Sequence, residues 1–232
     1  MQAAILAGGL ATRLRPLTDD TPKAMVLVQG KPFLEHQIGL LRSQGISDIV
    51  LCVGYLAARI QEHFGDGGAL GVRIRYSDEG ARLLGTAGAL KKAEPLLGEA
   101  FFVLDGDAYL PLDYQEVMAR FKAAGKQALM VVFENRDQHE SSNVVVAGDM
   151  VQTYDRGRKL PGMVHVHAGL SILRKDALAL IPGQEVASQD ELWPQLIARR
   201  ELPAFLTTQR PYEVGSPGGL EEFRRFLGPG PR

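Results

Sequence analysis

Residues 6–25 read Leu-Ala-Gly-Gly-Leu-Ala-Thr-Arg-Leu-Arg-Pro-Leu-Thr-Asp-Asp-Thr-Pro-Lys-Ala-Met and follow an apolar start, Gln2-Ala-Ala-Ile5. Ala3–Ala7 is short, apolar and ended by Gly8-Gly9, which predicts a buried strand opening into a loop. Three cations, Arg13, Arg15 and Lys23, fall within eleven residues of that loop. Glycines let backbone N–H groups approach an anion closely, and neighbouring Arg and Lys neutralise it. The spacing is neither GxxxxGK[ST] nor GxGxxG. A Gly-Gly pair after a strand also describes a plain turn, and it is the cations that favour a phosphate.

Working outward, apolar segments alternate with helical periodicity. Phe33–Gln44 carries Leu34, Ile38 and Leu41 at helical spacing and stops at Gly45. Asp48–Val53 is apolar without alternation, as in a strand covered on both faces. Helices are predicted over Leu56–Phe64, Gly85–Leu97 and after Asp113, where Glu116 completes a capping-box pattern. Strands are predicted over Val72–Tyr76, Phe101–Leu104 and Lys126–Phe133. This alternation implies an α/β fold, a Rossmann-like, mostly parallel sheet flanked by helices.

From Asn143 the rhythm changes. Short strands at Asn143–Ala147 and Met150–Tyr154, a β-rich stretch at Met163–Leu173, a helix capped by Ser188 and a strand over Thr207–Val214 precede a last helix starting at Ser216-Pro217. The second half reads as an α+β layer appended to the same sheet. The expected organisation is one domain over residues 1–232, with halves 1–135 and 136–232. Ligands of open α/β sheets bind outside the carboxyl ends of the strands. Four stretches are predicted there: Gly8–Lys23, Glu79–Ala87, Asp105–Asp107 and Glu213–Ser216.

Composition narrows the classes. The chain has 232 residues, 45% hydrophobic and 23% charged, ordinary for a folded domain. Lys+Arg 26 against Asp+Glu 27 gives a net charge of -1, which removes any bulk argument for nucleic acid or a membrane surface. Cys52, the single cysteine, sits in an apolar strand and reads as a core thiol, so cysteine-based zinc and intrachain disulfides are excluded. No apolar run reaches the roughly 18 residues of a membrane span. No basic region followed by an apolar stretch and a cleavage site marks the N-terminus. The expectation is a soluble cytoplasmic protein.

Val103-Leu-Asp-Gly-Asp107 ends a strand on two carboxylates. Hard oxygen ligands there suit Mg²⁺, which takes one or two carboxylates plus phosphate oxygens; Asp-Gly is also common in turns. Tyr212-Glu-Val-Gly-Ser216 offers a second carboxylate, Glu213, from distant sequence. Leu84-Gly-Thr-Ala-Gly88 exposes backbone amides at a helix start, equally readable as a Gly-initiated helix. His165 and His167 alternate on a strand and point to either a polar ligand or polar packing. No Ser–His nucleophile pattern is present.

These residues resemble a family. Leu6–Thr18, Pro22-Lys23 and Gly30-Lys-Pro-Phe-Leu34 are similar to the N-terminal signature of sugar-1-phosphate nucleotidyltransferases. Leu84–Leu90, Leu104–Asp107, His167–Leu170 and Tyr212–Pro217 resemble, in order, that family's base-side loop, metal strand end, sugar-side strand and second metal segment. The resemblance spans nearly the whole chain and is closest to the short members acting on mannose-, heptose-, N-acetylmuramate- or glucose-1-phosphate. It implies transfer of a nucleoside monophosphate from an NTP to a sugar 1-phosphate, with Mg²⁺. By position, Gly8, Gly9, Thr12 and Arg13 would hold the triphosphate, and Lys23 would neutralise the α-phosphate. Leu6, Ala7, Glu79, Gly85, Thr86 and Asp105 would complete the nucleotide side. Asp107 and Glu213 would hold Mg²⁺, and Arg156, His167 and Gly169 would meet the sugar phosphate.

Four departures stand out. Glu213 replaces the usual Asp, Asp155-Arg156 the usual Glu-Lys pair, and Ala24 the usual Pro after the lysine. His165–Gly169 is less polar than the Asn-containing version of many members. The base is left open between GTP, UTP, CTP and dTTP, with GTP or UTP favoured by the resemblance, and a homo-oligomer is left open too. Two alternatives are kept: a cytidylyltransferase for a phosphorylated alcohol such as phosphocholine, and a silent nucleotide-sugar-sensing subunit.

Overall fold

The computed structural model describes residues 1–10, 12–183 and 186–228. Ala11, inside the N-terminal signature, lies outside the described residues. The elements, in chain order, are β1 (Gln2–Leu6), α1 (Phe33–Ser43), β2 (Asp48–Val53), α2 (Ala57–Phe64), β3 (Arg73–Asp78), α3 (Gly85–Ala93), β4 (Ala100–Asp105), β5 (Ala108–Tyr109) and α4 (Tyr114–Ala124). They continue with β6 (Ala128–Glu134), β7 (Val144–Ala147), β8 (Met150–Tyr154), β9 (His165–Arg174), α5 (Gln189–Ala198), β10 (Ala204–Thr207), β11 (Tyr212–Glu213) and α6 (Pro217–Leu227).

Nine strands form one sheet among the described residues, ordered β8-β7-β9-β4-β1-β2-β3, with β6 and β10 continuing from the far side of β9. β1 runs parallel to β2 and β4, and β2 parallel to β3. This is the expected Rossmann-like half. The second half joins the same sheet, but at its centre rather than its edge. β9 inserts between β4 and β6, antiparallel to both. Seven of its ten residues are buried, Ala168–Leu173 without a break, as in a strand covered on both faces.

Alternation along each strand divides the core. Ala3, Ile5, Leu51, Phe102 and Leu104 pack with Leu34, Ile38 and Leu41 of α1, Ile60 of α2 and Val117 and Phe121 of α4. Ala4, Val50, Cys52, Phe101 and Val103 face the other way, onto Leu90 of α3 and Leu192, Trp193 and Leu196 of α5. Burial pushes the Cys52 thiol up to about 12, in keeping with an inert core group. A third cluster ties Leu14 of the N-terminal loop to Val214, Leu220 and Phe223.

Two predicted elements are corrected. The strand expected over Thr207–Val214 is two pieces. β10 ends at Thr207, whose hydroxyl accepts from Gln209 N at 3.0 Å, and the chain leaves the sheet before pairing again as β11 against β5. Pro211 has no N–H to continue a ladder. The helix expected over Gly85–Leu97 ends at Ala93 and tightens into a 3₁₀ turn, Glu94–Leu96, around Pro95. Ser188 and Glu191 form a capping box as read, and Asp113 caps its helix by accepting from Gln115 N and Glu116 N, without a described return bond from the Glu116 side chain.

Candidate active site

The loops after β1, β3 and β4 open on one cavity of about 330 Å³ at the carboxyl ends of the parallel strands. Leu6, Ala7, Gly8, Gly9, Arg13 and Lys23 line it from the first loop. Glu79, Gly85 and Thr86 line it from the β3–α3 connection. Asp105 and Asp107 come from β4, Arg156, His167 and Gly169 from the second half, and Glu213 from β11. Thr12 is the one predicted site residue that does not line it. Its neighbour Leu14 is buried and turns Thr12–Leu14 into an anchor for the loop.

The two distant carboxylates meet because of a two-stranded ribbon. β5 follows Asp107 directly, and β11 ends on Glu213; their antiparallel pairing sets Ala108 opposite Glu213. Val214 N donates to Asp107 O at 2.9 Å. Burial and the adjacent Asp107 carboxylate push Glu213 above the usual carboxylate range. Each acid also has a cation. Lys23 is ion-paired to Asp107, both side chains largely buried, and Arg13 pairs with Glu213 at 3.1 Å in more open surroundings. Each acid is thus opposed by a cation where the four residues line the cavity. Gly215 sits against them: a Cβ there would lie 2.7 Å from Glu213 Oε1, 2.8 Å from Arg13 Nη2 and 3.0 Å from Lys23 Nζ.

Beside this quartet, burial and then Asp107 push Asp105 up to about 7. Its carboxyl lies toward Gly169, which holds φ at 73°, a left-handed conformation that suits glycine. Glu79 accepts a hydrogen bond from Leu84 N, so it fastens the β3–α3 loop as well as lining the cavity. Arg156 stands in the field of Asp105, Asp107 and Asp190. Asp155 holds its turn by accepting from Gly157 N and Arg158 N, both at 2.9 Å. His167 lines the cavity with Nε2 2.9 Å from Ser171 Oγ, and burial pulls its pKa down to about 4. His165 does not line it.

Several residues of the site carried no signal in the sequence. Gln37, on α1 and 1% exposed, donates Nε2 to Asp105 O at 2.9 Å and Ala108 O at 2.6 Å, clamping the turn that presents Asp107. It sat among helical polar positions with nothing to mark it. Glu140, Asn143, Tyr154, Gln189 and Asp190 also line the cavity. Only Ser188, read as a helix cap, pointed near the last two.

A nucleotidyl transferase family profile matches residues 2–156, the segment that supplies most of this cavity. The chain belongs to the nucleotidyl transferase family. Among curated proteins, this chain is similar to the UTP–glucose-1-phosphate uridylyltransferase of Synechocystis, 33% identical over 219 residues, 85% of this chain and 55% of that protein. It is also similar to the D-glycero-alpha-D-manno-heptose 1-phosphate guanylyltransferase of Campylobacter jejuni, 30% identical over 230 residues, 98% and 99% of the two chains. The chain thus spans about half the length of the first of these relatives and nearly all of the second. Among solved structures it resembles HddC from Yersinia pseudotuberculosis complexed with GMP-PN, with a TM-score of 0.81, 26% identity and coverage of 97% and 99%. No described helix of this chain is long and apolar enough to cross a membrane.

Proposed function

We propose that the protein transfers a nucleoside monophosphate from an NTP to a sugar 1-phosphate, releasing pyrophosphate and leaving an NDP-sugar. The observation that carries this reading is the meeting of Arg13, Lys23, Asp107 and Glu213 in one cavity that Arg156 also lines. The matched family and the sugar-1-phosphate relatives support it. Those relatives name both uridylyl and guanylyl transfer, and UTP and GTP are the donors of choice.

A phosphate oxygen of the sugar phosphate attacks the α-phosphorus of the NTP. A new P–O bond forms as the bond to the β-phosphate oxygen breaks, and pyrophosphate departs with that electron pair. A phosphate monoester has a second pKa of about 6, so the nucleophile is already largely dianionic at pH 7 and needs no general base. The chemistry therefore has no need of a Ser–His nucleophile, and the serine that contacts His167, Ser171, has no exposed surface. The obstacle is bringing two polyanions together and supporting an in-line transition state. Lys23 neutralises the α-phosphate, Arg13 the departing pyrophosphate, and Arg156 grips the acceptor's phosphate with its planar fork. Gly8 and Gly9 let the backbone approach the triphosphate, while Gly85 and Thr86 border the base.

Asp107 and Glu213 fit a Mg²⁺ ion: two hard carboxylates side by side at the mouth of a phosphate site. The retention of Arg13, Lys23 and Asp107 with Glu213 at the same site favours the active reading over a silent subunit. When bound, the metal supplies charge neutralisation to the transferred phosphoryl group. The reading is tested by pyrophosphate release from each NTP with Mg²⁺ across glucose-, mannose-, heptose- and N-acetylmuramate-1-phosphate and phosphocholine. Release with a sugar phosphate supports it. Silence across the sugar panel ends the catalytic reading, and release with phosphocholine alone moves the acceptor outside sugars.

A further inference from the structure

The cavity has a second polar centre that phosphate chemistry does not use, at the first turn of α5. Gln189 and Asp190 both line the cavity there. That turn is rigidly held. Ser188 and Glu191 cap it, and Gln189 N donates to Thr86 Oγ1 at 2.8 Å. Ala187 O accepts from Ala87 N at 3.0 Å and Gly88 N at 3.1 Å, locking the approach to α5 against the start of α3.

Gln189 is only 5% exposed, yet its Nε2 has no hydrogen-bond partner among the described residues. Native proteins seldom leave a buried amide donor unpaired, because its desolvation goes uncompensated. Its neighbour is an acceptor of fixed direction. Asp190 Oδ1 accepts the Tyr154 hydroxyl at 2.8 Å, which aims the carboxylate and leaves it further acceptor capacity. Burial, with Asp190 beside it, keeps Tyr154 a phenol and so a donor to that carboxylate. Gln189 Nε2 is closed off from the cavity that its residue lines, so it finds a partner there by turning its amide inward, next to an aimed carboxylate acceptor; together they complement two hydroxyls, one accepting and one donating. Asp190 also stands in the field of Arg156, the residue that grips the acceptor's phosphate in the proposed reaction.

We propose that Gln189 and Asp190 are the hydroxyl-reading pair for the acceptor sugar: Gln189 Nε2 donates to one ring hydroxyl, and Asp190 accepts from its neighbour. The assignment rests on the sugar-phosphate transfer proposed above. It makes the acceptor a sugar with vicinal hydroxyls directed at α5, and it makes this turn a determinant of which sugar is used.

The test takes the best sugar 1-phosphate from the release panel, together with its monodeoxy analogues. Wild type is compared with Gln189→Ala, Gln189→Glu and Asp190→Asn, the last keeping the shape that receives Tyr154. In each variant KM for the sugar phosphate is expected to rise about ten- to a hundredfold while KM for the NTP stays within about twofold. Wild type should also reject one monodeoxy analogue, and that discrimination should shrink toward one in Gln189→Ala, because the lost hydroxyl no longer strands a donor. A general packing defect would raise KM for parent and analogue alike and leave the ratio standing. The pair is overturned if KM for the NTP rises instead, which would make it a reader of ribose or base. It is also overturned if neither KM moves, or if discrimination survives Gln189→Ala. Wild type inactive on the whole panel fails the underlying reaction, whereas wild type active with unchanged variants fails only the pair. Thermal unfolding separates a misfolded variant from either result, and Gln189→Glu, nearly isosteric, keeps the question open to measurement if Gln189→Ala does not fold.

Discussion

The two walls of the cavity are built on different plans. The wall from residues 8–23 and Asp107 is made of loops, carries full charges and holds them in ion pairs, Lys23 to Asp107 and Arg13 to Glu213. The wall from the second half is made of side chains projecting from β8, β9 and the first turn of α5. Beside Glu140, Arg156 and Asp190 it carries the directed polar groups of Tyr154, His167, Asn143 and Gln189. In the proposed reaction, the difference follows from what each would recognise. A triphosphate is the same in every nucleotide and is met by charge and exposed backbone. An acceptor is recognised by hydroxyl positions, which requires directed donors and acceptors on rigid elements.

The sharpest way to break this contrast is to remove charge from the loop wall. Lys23→Ala is expected to cut turnover by roughly 10²–10³-fold, about 3–4 kcal/mol of transition-state support, with an unchanged circular dichroism spectrum. Unaltered kcat would remove Lys23 from the reaction. Gly215→Ala comes next. Its Cβ would press on the tips of Glu213, Arg13 and Lys23, which are flexible ends rather than backbone. Activity should fall about 10- to 100-fold through misplaced charges. The melting temperature should stay within about 3 °C of wild type, and a larger drop would mean Gly215 serves the fold.

The side-chain wall is probed by pH. The unfolded His167 takes a proton near pH 6.5, whereas burial holds the folded ring neutral down to about 4. Stability is therefore expected to be unaffected by this group above pH 6.5, to decline as pH falls from 6.5 toward 4, and to lose nothing further below that. The loss is about 2–3 kcal/mol, allowing for the ring's residual solvent contact. His167→Gln should flatten that part of the curve, measured by urea unfolding; an equally steep curve would place the cause in other groups. Smallest of all is Arg15→Ala. Arg15 points away from the quartet and pairs with Asp19 at 3.3 Å, both more than half exposed. A change in kcat/KM of less than about twofold is expected, as for other surface pairs. A larger one would extend the loop wall's charge beyond Arg13 and Lys23.

Legibility in the sequence follows the same division. The strands and helices of the first half were readable because apolar runs, glycines and caps are local, and their errors are end effects such as Pro95. The loop wall was readable because Gly8-Gly9, Arg13 and Lys23 lie close together and have one chemical use. Asp107 and Glu213 were readable as candidates, but nothing local said that they meet; the β5–β11 ribbon brings them together. Gln37, Tyr154, Gln189 and Asp190 were silent. A glutamine on an amphipathic helix looks the same in sequence whether it faces water or clamps Asp105 O and Ala108 O.

The sequence alone determined a mostly parallel α/β sheet, a glycine- and cation-rich loop after its first strand and two carboxylates at strand ends. These depend on backbone conformation, hydrophobic period and residue charge, all written within a few positions. The tertiary structure decided that β9 enters the middle of the sheet, antiparallel to β4 and β6. By that insertion it carried His167 and Gly169 to the edge of Asp105. It also decided that α5 docks its first turn on α3, setting Gln189 and Asp190 at the far wall. Strand order and helix docking depend on which buried faces fit each other over long sequence separations, and no short stretch of the chain records that fit.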